Sequence, residues 1–329
     1  MDREQVIVVG AGISGILLAR RLQAEGANVT VLEKSRGFGG RMATRRWDDQ
    51  RFDHGAQYFR IRSPQAKDAI QPLIDAGVVV RWPGGDGAGS GEDRWIGRPG
   101  MSAVARALAG DLRVIHEARV LEAVSNDGGW NVRLADGGEL ACRVLALTSP
   151  VPQSLAIVRP ALNEMDAVVR LRLEGIEYEP AYALLAKLEG PARGSWRSGL
   201  QLSDERIAWV ADNQSKLRPG EDGDGALVAQ STPHFAREQE RSEREVVAGM
   251  MARSVEALLG VKLREQRAHW WKFASPSSRL AERAVWSGGP SPAVFCGDAF
   301  GEGMIEGALL SGLAASELVL GRSAQGEII

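Results

Sequence analysis

The stretch QVIVVGAGISG, residues 5–15, restricts the fold more than any other part of this chain. Gln5–Gly10 is short and almost wholly apolar, the pattern of a strand buried on both faces in a parallel sheet. From Ser14 to Glu25 the residues read as a helix, with Leu18 and Leu22 on one face and Gly26 at its end. Asn28–Glu33 is a second strand, so the first 33 residues form one βαβ unit. Gly10, Gly12 and Gly15 make GxGxxG between that strand and helix. Gly10 permits the tight turn, Gly12 lets a diphosphate approach the backbone, and Gly15 lets helix and strand pack closely. The helix start, Ile13 and Ser14, offers free N–H groups and a positive dipole end to phosphates. Glu33, followed by Lys34, ends the second strand 18 residues past Gly15. A carboxylate there accepts bonds from a ribose 2′-hydroxyl and repels a 2′-phosphate. The unit predicts dinucleotide binding; a close-packed glycine turn without ligand leaves Glu33 unexplained.

The rest of the composition narrows the class. A length of 329 residues is enough for about two domains. A net charge of −2, with REQERSERE (237–245) read as a solvated helix face, argues against nucleic-acid and anionic-membrane partners. Cys142 and Cys296 lie far apart and outside any CxxC, which fits a reducing cytoplasm. MDREQ lacks the basic start of a signal peptide, and no run of about 20 apolar residues stands out as a membrane span. The four histidines have no metal-ligand spacing. GxSxG and the GxxxxGK[ST] loop are absent, which disfavours lipase-type hydrolases and P-loop ATPases.

Strand-like runs Arg119–Val124, Trp130–Ala135 and Glu139–Leu147, separated by NDGG and DGG, predict an antiparallel meander. GGDGAGSG, residues 84–91, reads as a flexible loop. Ala181–Leu188 and Arg206–Ala211 read as strands, Glu243–Leu259 as a helix, Pro292–Cys296 as a strand and Met304–Leu320 as an apolar helix. The expected organisation is discontinuous. Residues 1–65, 98–150 and 285–329 make an α/β dinucleotide domain, and 66–97 with 151–284 make an α+β substrate domain.

Residues 36–41, RGFGGR, indicate which dinucleotide is bound. Gly39 and Gly40 allow the chain to fold back over a diphosphate, and Arg41, followed by Met42, supplies charge-assisted hydrogen bonds. Nicotinamide-binding domains do not usually carry this second phosphate element. The pattern resembles the FAD-dependent amine oxidases, whose E-x(5)-GGR continuation marks FAD. Residues 295–312, FCGDAFGEGMIEGALLSG, point the same way. Gly297-Asp298 ends a strand, where a carboxylate can accept bonds from ribityl hydroxyls. Gly301 and Gly303 loosen the chain before a helix that starts near Met304 and Ile305, whose N–H groups and dipole can face the flavin N1–C2=O edge. In relatives the first meander strand passes the adenine, which puts Val120 beside it. The resemblance implies a Rossmann-type FAD-binding domain of the glutathione-reductase/amine-oxidase kind. Cys296 does not match the flavin-linking cysteine of monoamine oxidases, so the FAD is expected to be non-covalent.

GRMATRRWDDQRFDHGAQYF (40–59), AWVADNQSKLRPG (208–220) and HWWKFASP (269–276) together resemble the renalase-like oxidoreductases of bacteria, in motif order over essentially the whole chain. The resemblance implies an oxidase that takes a hydride from off-pathway 2- or 6-dihydro isomers of NAD(P), releases NAD(P)+, and passes the electrons to O2 to give H2O2. Hydride transfer requires contact and orientation more than acid–base groups. Gln57, Tyr58 and Phe59 are the first candidates for the pocket wall, with Trp271 or Trp270 stacking on a ring. Adjacent residues of a strand face opposite sides, so one tryptophan belongs to the core. Lys272 can meet a substrate phosphate or the flavin N5 region through water, or be a solvated surface charge. Asn213 and Lys216 can bind substrate polar groups or cap a turn. His54 can carry a proton or be a satisfied loop histidine; His234, after Thr232-Pro233, sits at a helix start. SKLRPG departs from the tighter KPGR-like form, which bears on the substrate grip. The alternatives are an amine oxidase or desaturase on the same scaffold and, from a different class, a flavin redox sensor without turnover. The expected partners are a dihydronicotinamide nucleotide and O2, for a monomer or homodimer.

Overall fold

The structure, a computed structural model, describes residues 4–82, 93–217 and 225–325. The loop read at 84–91 lies outside the described residues. Strand β1 (Glu4–Val9), helix α1 (Ile13–Ala24) and strand β2 (Val29–Leu32) realise the βαβ unit. A hairpin follows, β3 (Thr44–Trp47) and β4 (Gln50–Asp53). Next come α2 (Pro64–Asp75), the pair β5 (Val79–Arg81) and β6 (Trp95–Gly97), α3 (Ser102–Ala109) and the short β7 (Val114–Ile115). The meander is β8 (Val120–Asn126), β9 (Gly129–Leu134) and β10 (Glu139–Leu147). Helices α4 (Val151–Ile157) and α5 (Ala167–Glu174) lead to β11 (Tyr178–Leu188), β12 (Leu200–Gln201), β13 (Ile207–Asp212) and β14 (Ala226–Ser231). The chain ends with α6 (Pro233–Glu238), α7 (Arg244–Leu259), β15 (Leu263–Pro276), β16 (Ala284–Trp286), β17 (Ala293–Cys296) and α8 (Met304–Ala324).

One sheet runs β16-β17-β10-β1-β2-β7, with β8 and β9 continuing antiparallel from β10. β17, β10, β1, β2 and β7 are parallel, with Val8 paired to both Val31 and Ala146. Val6 and Val8 face a core shared with α1, α3 and α8, while Ile7 and Val9 face a second core on the opposite side, the period-2 alternation of a strand covered on both faces. The first and last helices touch closely: a Cβ on Gly312 of α8 would lie 2.2 Å from the Ser14 carbonyl of α1.

The second sheet is antiparallel, in the order β12-β13-β14-β11-β15. α6 and α7 cover one face through Phe235, Val247, Met251 and Val255. The other face meets the β3–β4 hairpin, where Trp47 and Phe52 pack on Ala183, Leu185 and Val228. The hairpin is pinned electrostatically as well, with the Lys187 ammonium 4.6 Å and the Arg267 guanidinium 4.0 Å from the Trp47 ring centroid.

Several short elements outside the first sheet pack against its two sides. Ala66, Ile70, Leu73, Val79 and Ile96 join the α1–α3–α8 core. Val151, Ile157, Val158, Met165, Leu173 and Ile176 join the core on the other side of the parallel sheet. The apolar sides of these short elements are buried by the nearest large surface, the first sheet and its helices, and the second sheet begins at Tyr178. REQERSERE is not one helix face: α6 ends at Glu238, and α7 begins at Arg244. Helix α8 has the length and apolarity of a membrane span, which the sequence reading did not single out. Gly307, Leu309, Leu310, Ala315 and Val319 bury its inner side within the protein.

Candidate active site

A continuous cavity of about 1790 Å³ runs from the glycine turn to the second sheet. Gly10, Gly12, Ile13, Ser14, Glu33, Lys34, Gly39, Gly40, Arg41, Met42, Val120, Gly297, Asp298, Met304 and Ile305 all line it. Gly15 stands behind the turn, where a Cβ would lie 2.2 Å from the Gly10 carbonyl oxygen. Gly10 has φ +113° and would bring a Cβ 2.7 Å from Thr148 Oγ1, so both turn positions require glycine. No side chain caps α1 at Gly12, which leaves the helix-start N–H groups for a ligand. Glu33 is buried and accepts from the Ala11 and Ser35 amides at 2.9 and 2.8 Å, which fixes its carboxylate at the strand end. Gly39 N–H donates to the Ala11 carbonyl at 2.9 Å, folding the GGR segment back over the turn.

The expected roles of Arg41 and Asp298 meet a finding that sequence could not anticipate. Arg41 and Asp298 bond to each other as a fork, Nη1 to Oδ2 at 2.5 Å and Nη2 to Oδ1 at 2.6 Å. The glycine-permitted fold of residues 39–42 brings these opposite charges into a charge-assisted pair. Both side chains keep further donors or lone pairs for a diphosphate and a polyol. Met304 opens α8 with φ +58°, is 74% exposed and lines the cavity. These residues fit FAD: a phosphate-binding helix start, a ribose-accepting carboxylate, a second glycine pair with a cation, and a helix N-terminus beyond Gly303. Cys296 is buried, accepts from Ser14 Oγ at 3.2 Å, and its thiol is pushed up to about 12 by burial, the state of an inert core cysteine.

The substrate side of the cavity is walled by Gln57, Tyr58 and Phe59 and by β11, β13, β14 and β15. Trp271 and Lys272 line it, as do Tyr182, Trp209, Gln230, His269 and Trp270. Trp271 and Trp270 face opposite ways as expected. Trp271 Nε1 donates to the His54 carbonyl at 2.8 Å, whereas Trp270 packs with Tyr182 beneath α7. Lys272 is exposed at the lip, its ammonium 5.6 Å from the Phe273 ring centroid.

Asn213 does not line the cavity, and neither does Lys216; both are buried behind its wall, which corrects the substrate-binding role considered for them. Lys216 Nζ donates to Asp53 Oδ2 at 2.8 Å and to Gln57 Oε1 at 3.1 Å. Asn213 Nδ2 donates to Gln57 Oε1 at 2.9 Å, and its Oδ1 accepts from the Asp53 amide at 2.6 Å. Asp53 Oδ1 accepts from Thr44 Oγ1 at 2.6 Å and from the Met101 amide at 2.9 Å. The Gln57 amide nitrogen donates to the Asp53 carbonyl. Gln57 therefore shows the cavity a side chain whose polar ends are already bonded inward. Burial lowers the Lys216 pKa, opposed by Asp53.

His54, Trp271 and His269 form one ring cluster. His54 stacks on Trp271 at 5.3 Å and meets His269 edge-on at 4.6 Å. Burial holds both imidazoles at about 4, with Arg45 and, for His269, His54 adding repulsion. Both rings are thus neutral at pH 7. His234 is exposed on α6 after the Thr232 cap, as its sequence context indicated. We expect kcat/KM to be flat from pH 5.5 to about 9 as far as these groups are concerned; a profile inflecting near 6.5 and abolished by His269→Asn would contradict this assignment. Unfolded imidazoles protonate near 6.5, so stability is fully present above that pH and is lost as pH falls towards 4. The contribution of His54 alone is about 3 kcal/mol.

The parallel sheet with its glycine turn, the acid at the second strand and the returning GGR segment define a flavin-dependent oxidoreductase. Residues 8–73 match the NAD(P)-binding Rossmann-like domain, and residues 88–320 match the flavin containing amine oxidoreductase family. The chain belongs to that family, and its cofactor is FAD. It is 24% identical to renalase of Mus musculus over 96% of this chain and 98% of the relative. Polyamine oxidase 6 of Oryza sativa subsp. japonica is 34% identical over 24% of this chain and 16% of its own length. Among solved structures, a triple mutant of putrescine oxidase superposes with a TM-score of 0.72 at 16% identity, covering 97% of this chain and 99% of the other. The CLA-producing fatty acid isomerase from P. acnes gives 0.68 at 12% identity, covering 96% and 98%.

Proposed function

We propose that this flavoenzyme takes a hydride from off-pathway dihydro isomers of NAD(P), reduced at ring position 2 or 6, and releases NAD(P)+. FAD supplies the hydride acceptor and the route for electrons to O2, with H2O2 as product. The near-full-length similarity to renalase motivates the reading, and the charge of the cavity carries it. Among the described residues, four carboxylates line the cavity, and each is already bonded within the protein. Glu33 holds two amides, Asp298 holds Arg41, Glu302 holds Arg283 at 2.5 Å, and Glu306 accepts the Arg62 and Ser63 amides at 2.9 and 2.7 Å. The second sheet and residues 54–63 contribute no Asp or Glu to the wall. An alkylammonium substrate has no carboxylate to meet there, whereas a flat uncharged ring carrying an anionic nucleotide tail finds aromatic and amide walls and a cationic lip. Lys272 and Arg279 line that lip and are suited to the tail. The chain's role is to orient the ring: Tyr58, Trp209 and Trp271 bound it, and the Gln57 network keeps that wall rigid.

Two cysteines held as buried thiols outside any disulfide favour a reducing compartment, the cytoplasm, and we take the protein as a monomer or homodimer. Anaerobic mixing with 2-dihydro and 6-dihydro NAD, NADH and a panel of amines tests the reading. Flavin bleaching is expected within seconds for one isomer and at least about a hundredfold more slowly for NADH, a gap of about 2.7 kcal/mol in barrier. Bleaching by amines alone would move the enzyme to the amine-oxidising members of its family. Failure of every reductant, or a reduced flavin that does not reoxidise in air, would favour a sensor without turnover.

A further inference from the structure

We propose that Arg94, assisted by Arg244, is a specificity-determining residue that sets this cavity against flat cations by occupying the outer faces of its aromatic walls. The Arg94 guanidinium lies 4.8 Å from the Tyr58 ring centroid and 5.3 Å from that of Trp209, and Arg94 itself does not line the cavity. Tyr58 and Trp209, 5.7 Å apart, do line it. Arg94 Nη1 donates to the Ser198 and Gly199 carbonyls at 3.0 and 3.2 Å, which locks the guanidinium behind the pair. No carboxylate salt bridge to Arg94 is present among the described residues. On the other side, the Arg244 guanidinium lies 5.1 Å from the Tyr182 and 5.3 Å from the Trp270 ring centroid, and it bonds the Tyr182 hydroxyl. The Glu240 carboxylate exerts an opposing charge on Tyr182, so this second backing is partly balanced.

An aromatic face attracts a cation because its π cloud is negative. A guanidinium on one face draws that density towards itself and adds its own positive charge behind the ring. The inner face is then a poor seat for a pyridinium or a protonated aryl amine, yet it still packs an uncharged ring through dispersion. The neutral imidazoles of His54 and His269 continue this wall without adding charge. The inference rests on the proposed function only for the identity of the ring: a dihydropyridine enters uncharged and leaves as a cation, so the same wall that admits the substrate holds the product weakly.

The test uses the FAD-loaded protein and two probes of matched shape, nicotinamide and 1-methylnicotinamide cation, each followed by the shift of the flavin visible spectrum. Wild type is expected to prefer the neutral probe by at least about tenfold. Arg94→Met should reduce that preference about fivefold and Arg94→Met with Arg244→Met should reduce it further, the remainder belonging to Arg60, which lines the cavity 5.8 Å from the Tyr58 ring centroid, and to the cationic lip, while Arg94→Lys, which keeps the charge, retains most of it. A preference unchanged in the Met variants, one lost equally in Arg94→Lys, or wild type without binding of the neutral probe would overturn the proposal. Discrimination by charge in an enzyme that no dihydro isomer bleaches would leave this inference standing while the proposed function fails.

Discussion

Replacing Lys216 with Met is expected to cost about 3–5 kcal/mol of stability, because it strands a buried carboxylate. The Lys216 and Asp53 side chains are 3% and 2% exposed, and the ammonium is the only cation paired with Asp53 among the described residues. Thr44 Oγ1 and the Met101 amide would remain as donors, too few for an ion removed from water. Gln57 Oε1 would at the same time lose one of its two donors, loosening the wall that faces the cavity. A compensating change separates charge burial from lost packing. Asp53→Asn combined with Lys216→Met removes both charges and should recover more than half of the loss, with a coupling of about 2 kcal/mol. Urea unfolding followed by flavin release measures all four members of the cycle. Equal losses in single and double variants would show that the pair matters only as packed volume.

The second large effect belongs to the glycine turn. Gly15→Val should yield protein without bound flavin, because any Cβ there lies 2.2 Å from the Gly10 carbonyl and α1 must move away from β1. The cost is about 3 kcal/mol or more, at the upper end of overpacking effects. Gly12→Ala is the informative contrast. No protein atom lies within 4 Å of a Cβ at that position, so the fold should survive and only the approach of the diphosphate should suffer. The ratio of flavin to protein absorbance, read beside far-UV circular dichroism, distinguishes the two. Full flavin content in Gly15→Val would mean that α1 is not held against β1 by this contact.

The cofactor half of the site was legible because it is made of local signals. A tight turn, a capless helix start and a strand-end acid each depend on neighbours a few residues away, and the strands and helices carrying them fall within a residue or two of the expected bounds. The substrate half depends on what meets across the two sheets. Asn213 and Lys216 drew notice as polar residues in a motif, but sequence does not reveal that a residue is buried. Their partners Asp53 and Gln57 are about 160 positions away in the chain. His269 could have been found from its spacing, since it shares a strand face with Trp271, two residues on. Arg94 and Arg244 give no signal at all, because a lone arginine near an aromatic ring in space is scattered along the chain. The packing of residues 151–176 on the first sheet was hidden for the same reason.

The contact of Gly312 with the Ser14 carbonyl has a consequence for how the protein is made. The glycine turn, Glu33 and the GGR segment emerge early, but the strand beside β10 and the helix against α1 come from residues 293–324. At about 5–20 residues per second, the first part of the sheet and α1 wait roughly 13–58 seconds for their last partners. Throughout that interval the apolar face of α1 is open, and half of the flavin cradle has no wall. Loading of the flavin is therefore a late event in the life of the nascent chain. Growth at limiting riboflavin should expose a finished apoprotein rather than an arrested one.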